Sequence, residues 1–225
     1  MNQDQQEKES LLQKSRSGRA CIREGYQFFT SHFRRIFRHT WIVALCFAIV
    51  AAAAATLPVF VAPNMLWPAL LLNMIAVILL LVIAYRLLVR KGLFERLPKG
   101  SIPRWAWLRH LGMETLVWLF CLIVVLSLFV ITTLPMLIIM AANWINNVGI
   151  LTGDPDGMPD YMTWLTVIVF FIAGFIQAYV WLTLLGPVYM MRGSISQQEK
   201  ERAEMKAKIE ESKPKEYVQN LIYRP

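Results

Sequence analysis

Few side chains in this sequence could do chemistry. Glu114 and His110 stand four residues apart at the start of an apolar run, so on a helix they share one face. A carboxylate at membrane depth suggests a proton or cation path. A structural role competes with that reading, because a helix N-terminus favours negative charge and Arg86 closes a second apolar run at similar depth. An Arg86–Glu114 contact joining two helices is therefore expected, ahead of transport.

Asn73 and Gln177 lie deeper, within apolar runs. Amides there usually hydrogen-bond a neighbouring helix, at about 0.6–2 kcal/mol, and only sometimes line a pathway. His32, His39 and His110 show no close ligand pairing, so no metal is expected. The acidic stretch Asp154, Asp156, Asp160 lacks the spacing and closing glutamate of a calcium loop and reads as turn chemistry, with Asp160 capping a helix. Cys21, Cys46 and Cys121 fit no disulfide or metal spacing and read as small structural residues. No catalytic triad, phosphate loop or dinucleotide fingerprint is recognisable, so neither a cofactor nor an enzymatic activity is expected.

The elements that carry these residues follow from composition. Hydrophobic residues make up 56% of the chain and charged residues 17%, an apolar excess over the soluble average. A bilayer core about 30 Å thick needs about 20 apolar residues as a helix. Four segments meet that requirement, at 41–62, 66–89, 115–145 and 161–191. The first two are separated by Pro63, Asn64 and Met65 alone, which predicts a tight antiparallel hairpin with its turn at the membrane surface. The last two are longer than the minimum and should tilt, kink or project. Pro135 and the Gly186-Pro187 pair predict kinks. Ala48, Ala51 to Ala55, Gly174 and Ala178 offer small faces for close helix approach, between the first and fourth spans or in a dimer.

All 23 Lys and Arg residues fall in residues 1–40, in the 86–109 stretch, or after Met191, and the 62–66 turn and the 146–160 loop hold none. Basic side chains are retained on the cytoplasmic side, so both termini are expected there. The net charge of +8 then serves to orient the spans and attract anionic headgroups, which removes the case for a nucleic-acid partner. The compact loops and this charge asymmetry favour a bacterial inner membrane.

Residues 1–17 are polar without periodicity and are expected to be disordered. Within 18–40, Ile22, Tyr26, Phe29, Phe33 and Ile36 recur at helical spacing, with Arg34, Arg35 and Arg38 elsewhere around the helix. This predicts an amphipathic helix lying in the cytoplasmic interface, its arginines on lipid headgroups. Trp105 and Trp107 beside Arg104 and Arg109 read as interfacial anchors. In the 192–225 tail, Ser196 and Glu199 have capping-box spacing before a run of i,i+4 Lys/Glu pairs, predicting a short solvated helix that starts there. An ungapped match of Trp41 to Trp118 and of Thr56-Leu57-Pro58 to Thr133-Leu134-Pro135 raises a duplication of hairpins, though the second and fourth spans align poorly.

The expected fold is thus an all-α, polytopic membrane protein: two antiparallel hairpins in a four-helix bundle, preceded by an interfacial helix. Without recognisable catalytic machinery, the function class it favours is an accessory, scaffolding or assembly subunit, with a membrane-protein partner or a second copy. The alternative is a small oligomeric transporter, channel or lipid-handling protein. It would require Glu114, Asn73 and Gln177 to converge on one cavity.

Overall fold

A computed structural model describes residues 15–60, 63–95, 105–151 and 159–212. Among them the chain is all-helical: α1 Gly18–Ser31, α2 Phe33–Phe60, a 3₁₀ turn Pro63–Met65, α3 Leu66–Arg90, the short α4 Ala106–Arg109, α5 Leu111–Leu151, α6 Asp160–Leu182 and α7 Leu185–Ser212. Four helical stretches are long and apolar enough to cross a membrane, beginning at Phe33, Leu66, Leu111 and Tyr161, as an integral membrane protein requires.

The 18–40 segment is not one helix. Ser17 caps α1 by accepting from the Ala20 amide, and α1 ends at His32, after which Phe33–Thr40 belong to α2. The fourth long segment is also divided, between Leu182 and Leu185. Pro187 has no N–H for the Thr183 carbonyl, and there the helix breaks. Pro135 causes no such break, and α5 runs through it. No new helix begins at Ser196, because α7 is already continuous from Leu185 and buries Ser194 and Ser196.

α2 packs on both α3 and α6, and α6 packs on α5. Small residues make the central contact. A Cβ on Gly174 would stand 3.3 Å from both the Ala48 carbonyl and the Ala51 Cβ, so α2 and α6 approach through the alanine face. The outer two helices, α3 and α5, are not principal packing partners, and a lateral slot lies between them. Among the four long helices the main contacts are therefore α3 with α2, α2 with α6, and α6 with α5.

α1 packs on α7 and α5. Cys21, Phe28 and Phe29 are buried in that contact, while Ile22 and Tyr26 of the expected apolar stripe are half-buried and Phe33 is exposed. The crossing depends on glycine, since a Cβ at Gly25 would overlap the Pro187 backbone and one at Gly186 the Gly25 carbonyl. Upstream, where disorder was expected, Arg16 is buried. Its amide donates to Ser194 Oγ at 2.8 Å, and its carbonyl accepts from Ser194 Oγ at 3.0 Å and Gln198 Nε2 at 3.2 Å. Residues 1–14 and 213–225 lie outside the described set, as does the 152–158 stretch that carries Asp154 and Asp156.

After α3, Gly92 at φ 68° closes a Schellman turn in which the Leu93 amide reaches the Leu88 carbonyl at 2.9 Å and the Gly92 amide the Val89 carbonyl at 3.1 Å. That turn drives Leu93 and Phe94 inward. Phe94 meets the Tyr189 ring at 4.4 Å between centroids and also stacks on Phe28 and Tyr85, tying α1, α3 and α7 together.

Candidate functional site

The region between α3 and α5 holds both amides that the sequence singled out, Asn73 and Gln177. Toward the 63–65 turn it holds a cavity of about 170 Å³ lined by all four long helices. Asn73 from α3 and Gln177 from α6 both reach it, beside Thr133 and Met136 of α5. Gln177 is 4% exposed, and among the described residues its amide donates only to the Met136 thioether at 4.0 Å, a weak bond. Asn73 Oδ1 is buried with no hydrogen-bond partner among the described residues. The two amides thus leave hydrogen-bonding capacity inside an apolar cleft, at a cost the fold carries.

Toward the basic end there is a second cavity of about 440 Å³, lined by α3 and α7 with Trp118 of α5. Here Tyr85 and Arg86 of α3 face Trp118 of α5 and Tyr189 and Arg192 of α7. Arg192 lies in this cavity because the break at Thr183 and Leu184 redirects the chain into α7. Among the described residues, neither Arg86 nor Arg192 forms an ion pair. The expected Arg86–Glu114 contact does not form. α3 and α5 are held apart by the slot, and half-buried Glu114 lines neither cavity.

His110 has a different carboxylate. Its Nε2 lies 2.9 Å from Glu199 Oε1, while Arg109 Nη1 is 3.3 Å and Arg202 Nη1 3.8 Å from the same carboxylate group. The hydrogen bond from His110, helped by the charges of Arg109 and Arg202, holds the Glu199 carboxyl below its ordinary value against the opposing effect of burial. This cluster pins α7 to the start of α5. Among the described residues, no three His, Cys, Asp or Glu side chains gather as a metal site requires. Compared with protein families, curated proteins and solved structures, the chain matches none.

Arg34, Arg35 and Arg38 border an open cavity of about 540 Å³ together with Ser31, His32 and His39. His32 stacks on Phe28 at 4.4 Å, and Trp105 is exposed, whereas the Trp107 side chain lies outside the described set. Cys21 and Cys121 are buried, but Cys46 is exposed on the outer face of α2.

Several contributors were not singled out by sequence: Arg192, Glu199 as a partner for His110, and the buried Asn143–Thr166 pair linking α5 to α6 at 3.5 Å. Asn143 carried a usable signal, being an amide in a long apolar run. Glu199 carried none, because its partner lies 89 residues away.

Proposed function

We propose that this chain is a non-enzymatic, multi-pass subunit that supports or assembles a membrane complex. In this reading the membrane is a bacterial inner membrane, both termini are cytoplasmic, and Arg34, Arg35 and Arg38 rest on anionic headgroups. One observation supports it best. α7 is fixed at its base by α1 and by the Glu199 cluster, then continues from Lys200 to Glu210 with every residue exposed. Helices shorter than about 12–15 residues are marginal in water without tertiary cover. A helix held out in this way, at the end of a braced base, is suited to docking a partner. His110, the histidine that sequence placed beside Glu114, is engaged in that bracing.

The test places photo-crosslinking residues at Glu201, Met205 and Lys208 in native membranes, followed by purification in mild detergent. One stoichiometric partner should crosslink there and be lost when the chain is truncated after Glu201. A homogeneous preparation of this chain alone, with no partner at any of the three positions, would overturn the proposal.

A second reading, a small oligomeric transporter, channel or lipid-handling protein, is favoured by the convergence of Asn73 and Gln177 on one cavity. Glu114 does not join them there. For that reading, Gln177→Leu should abolish solute flux or lipid transfer in proteoliposomes.

A further inference from the structure

The cavity at the basic end has the layout of an amphiphile site. Arg86 and Arg192 stand at one cavity about 440 Å³ in volume, and among the described residues no carboxylate lies within ion-pairing distance of either. Two guanidinium groups without a counter-charge call for an anion, and their planar forks match phosphate oxygens. Next to them the lining is apolar: Ile78, Leu81 and Val82 on one wall and Val188 on the floor. The cavity wall itself includes exposed apolar residues of α3 and α5, Ile78 at 57%, Val82 at 45% and Trp118 at 47%. Those residues meet hydrocarbon in a membrane, so the cavity is reached from the bilayer.

We infer that this slot holds an anionic glycerophospholipid, with its phosphate on Arg86 and Arg192 and one acyl chain along Ile78, Leu81 and Val82. Tyr85 and Trp118 supply the aromatic surface suited to headgroup depth. A free phosphate would satisfy the arginines and leave the apolar wall unused. A partner helix would fill the wall but need an acidic residue placed opposite both arginines. A single anionic lipid meets both requirements, as basic pockets between membrane helices commonly do. The site involves neither Lys200 to Glu210 nor Asn73 and Gln177, so it stands apart from both functional readings above.

The test uses the full chain in nanodiscs of equal phosphatidylglycerol and phosphatidylcholine, extracted into mild detergent and weighed by native mass spectrometry. The unaltered protein should retain phosphatidylglycerol over phosphatidylcholine by about tenfold or more. Arg86→Gln combined with Arg192→Gln should bring that ratio near one, while Arg19→Gln combined with Arg23→Gln, at exposed positions of α1, should leave it unchanged. Val82→Trp, which fills the slot and keeps both arginines, should remove the retained lipid. Equal retention of the two lipids by the unaltered protein would overturn the inference, and this arm needs no variant to fold. So would a preference that survives the double arginine variant, displacement by millimolar inorganic phosphate, or a copurified polypeptide in place of lipid.

Discussion

Two regions of this molecule treat helix contact in opposite ways. At the α1–α7 crossing the backbones touch, with Gly25 against Gly186 and Pro187 and no room for a methyl group. Between α3 and α5, two equally apolar helices are kept apart, and the gap is lined by Asn73, Gln177, Arg86 and Arg192. The first contact excludes everything, so its energy lies in packing and in the hydrogen bonds of Arg16 to Ser194 and Gln198. The second leaves Asn73 Oδ1 without a hydrogen-bond partner among the described residues. A glycine seam makes a brace and an open slot makes a site.

Substitutions should separate the two regions by size of effect. The largest loss is expected at the seam. Gly25→Val forces side-chain atoms into the Pro187 backbone, which cannot yield as a flexible side chain would. Unfolding in detergent should show a destabilisation of about 3 kcal/mol or release of α1 from the body, and buried Cys21 should become reactive to a maleimide in a Cys46→Ser background. If Gly25→Val is neutral, the crossing is not a brace.

The Glu199 cluster should rank next. Glu199→Gln removes the charged acceptor of His110 while Arg109 and Arg202, each about half exposed, lose little, so a loss of about 1 kcal/mol is expected in thermal unfolding. Because the folded Glu199 carboxyl titrates below its unfolded value of 4.5, its contribution is present above that pH and lost as pH falls through the folded value. The stability difference between the native protein and Glu199→Gln should therefore shrink on acidification. A difference that stays constant or widens would contradict the pairing.

The slot should be the most tolerant region. Asn73→Leu removes a buried acceptor that has no partner among the described residues, and its effect on unfolding should lie between zero and a gain of about 1 kcal/mol. A loss above about 2 kcal/mol would mean that the amide is bonded in the folded protein and that the comparison between seam and slot is misdrawn.

The sequence made the long helices legible because run length and composition determine them. It also pointed to Asn73 and Gln177, which stand out as amides among aliphatic residues. It was silent where a pattern had two equivalent physical solutions. The apolar stripe of α1 requires cover, and lipid and protein cover produce the same spacing. Only Gly25 hinted at a neighbouring backbone, and a lone glycine in a helix has no partner visible in sequence. Glu199 at capping-box distance from Ser196 fitted a local rule, but its carboxylate went to His110 on another helix. Likewise, Arg86 and Glu114 were paired by depth alone, whereas packing set α3 and α5 on opposite sides of a slot. The Gly186-Pro187 break was legible as a kink, but not as the device that brings Arg192 to Arg86.

The central claim is that α1 docks on α7, joining the two ends of the described chain in one brace. Cys21 and Ser194 are both buried where α1 packs on α7, with Ser194 Oγ held by Arg16 five residues before Cys21, which provides a direct measurement. With Cys46 and Cys121 replaced by serine, Ser194→Cys should form a disulfide with Cys21 under mild oxidation in native membranes. A protease cut between the two positions should then leave the fragments joined until reductant is added. Fragments that separate without reductant, from protein that remains folded in the membrane, would contradict the account.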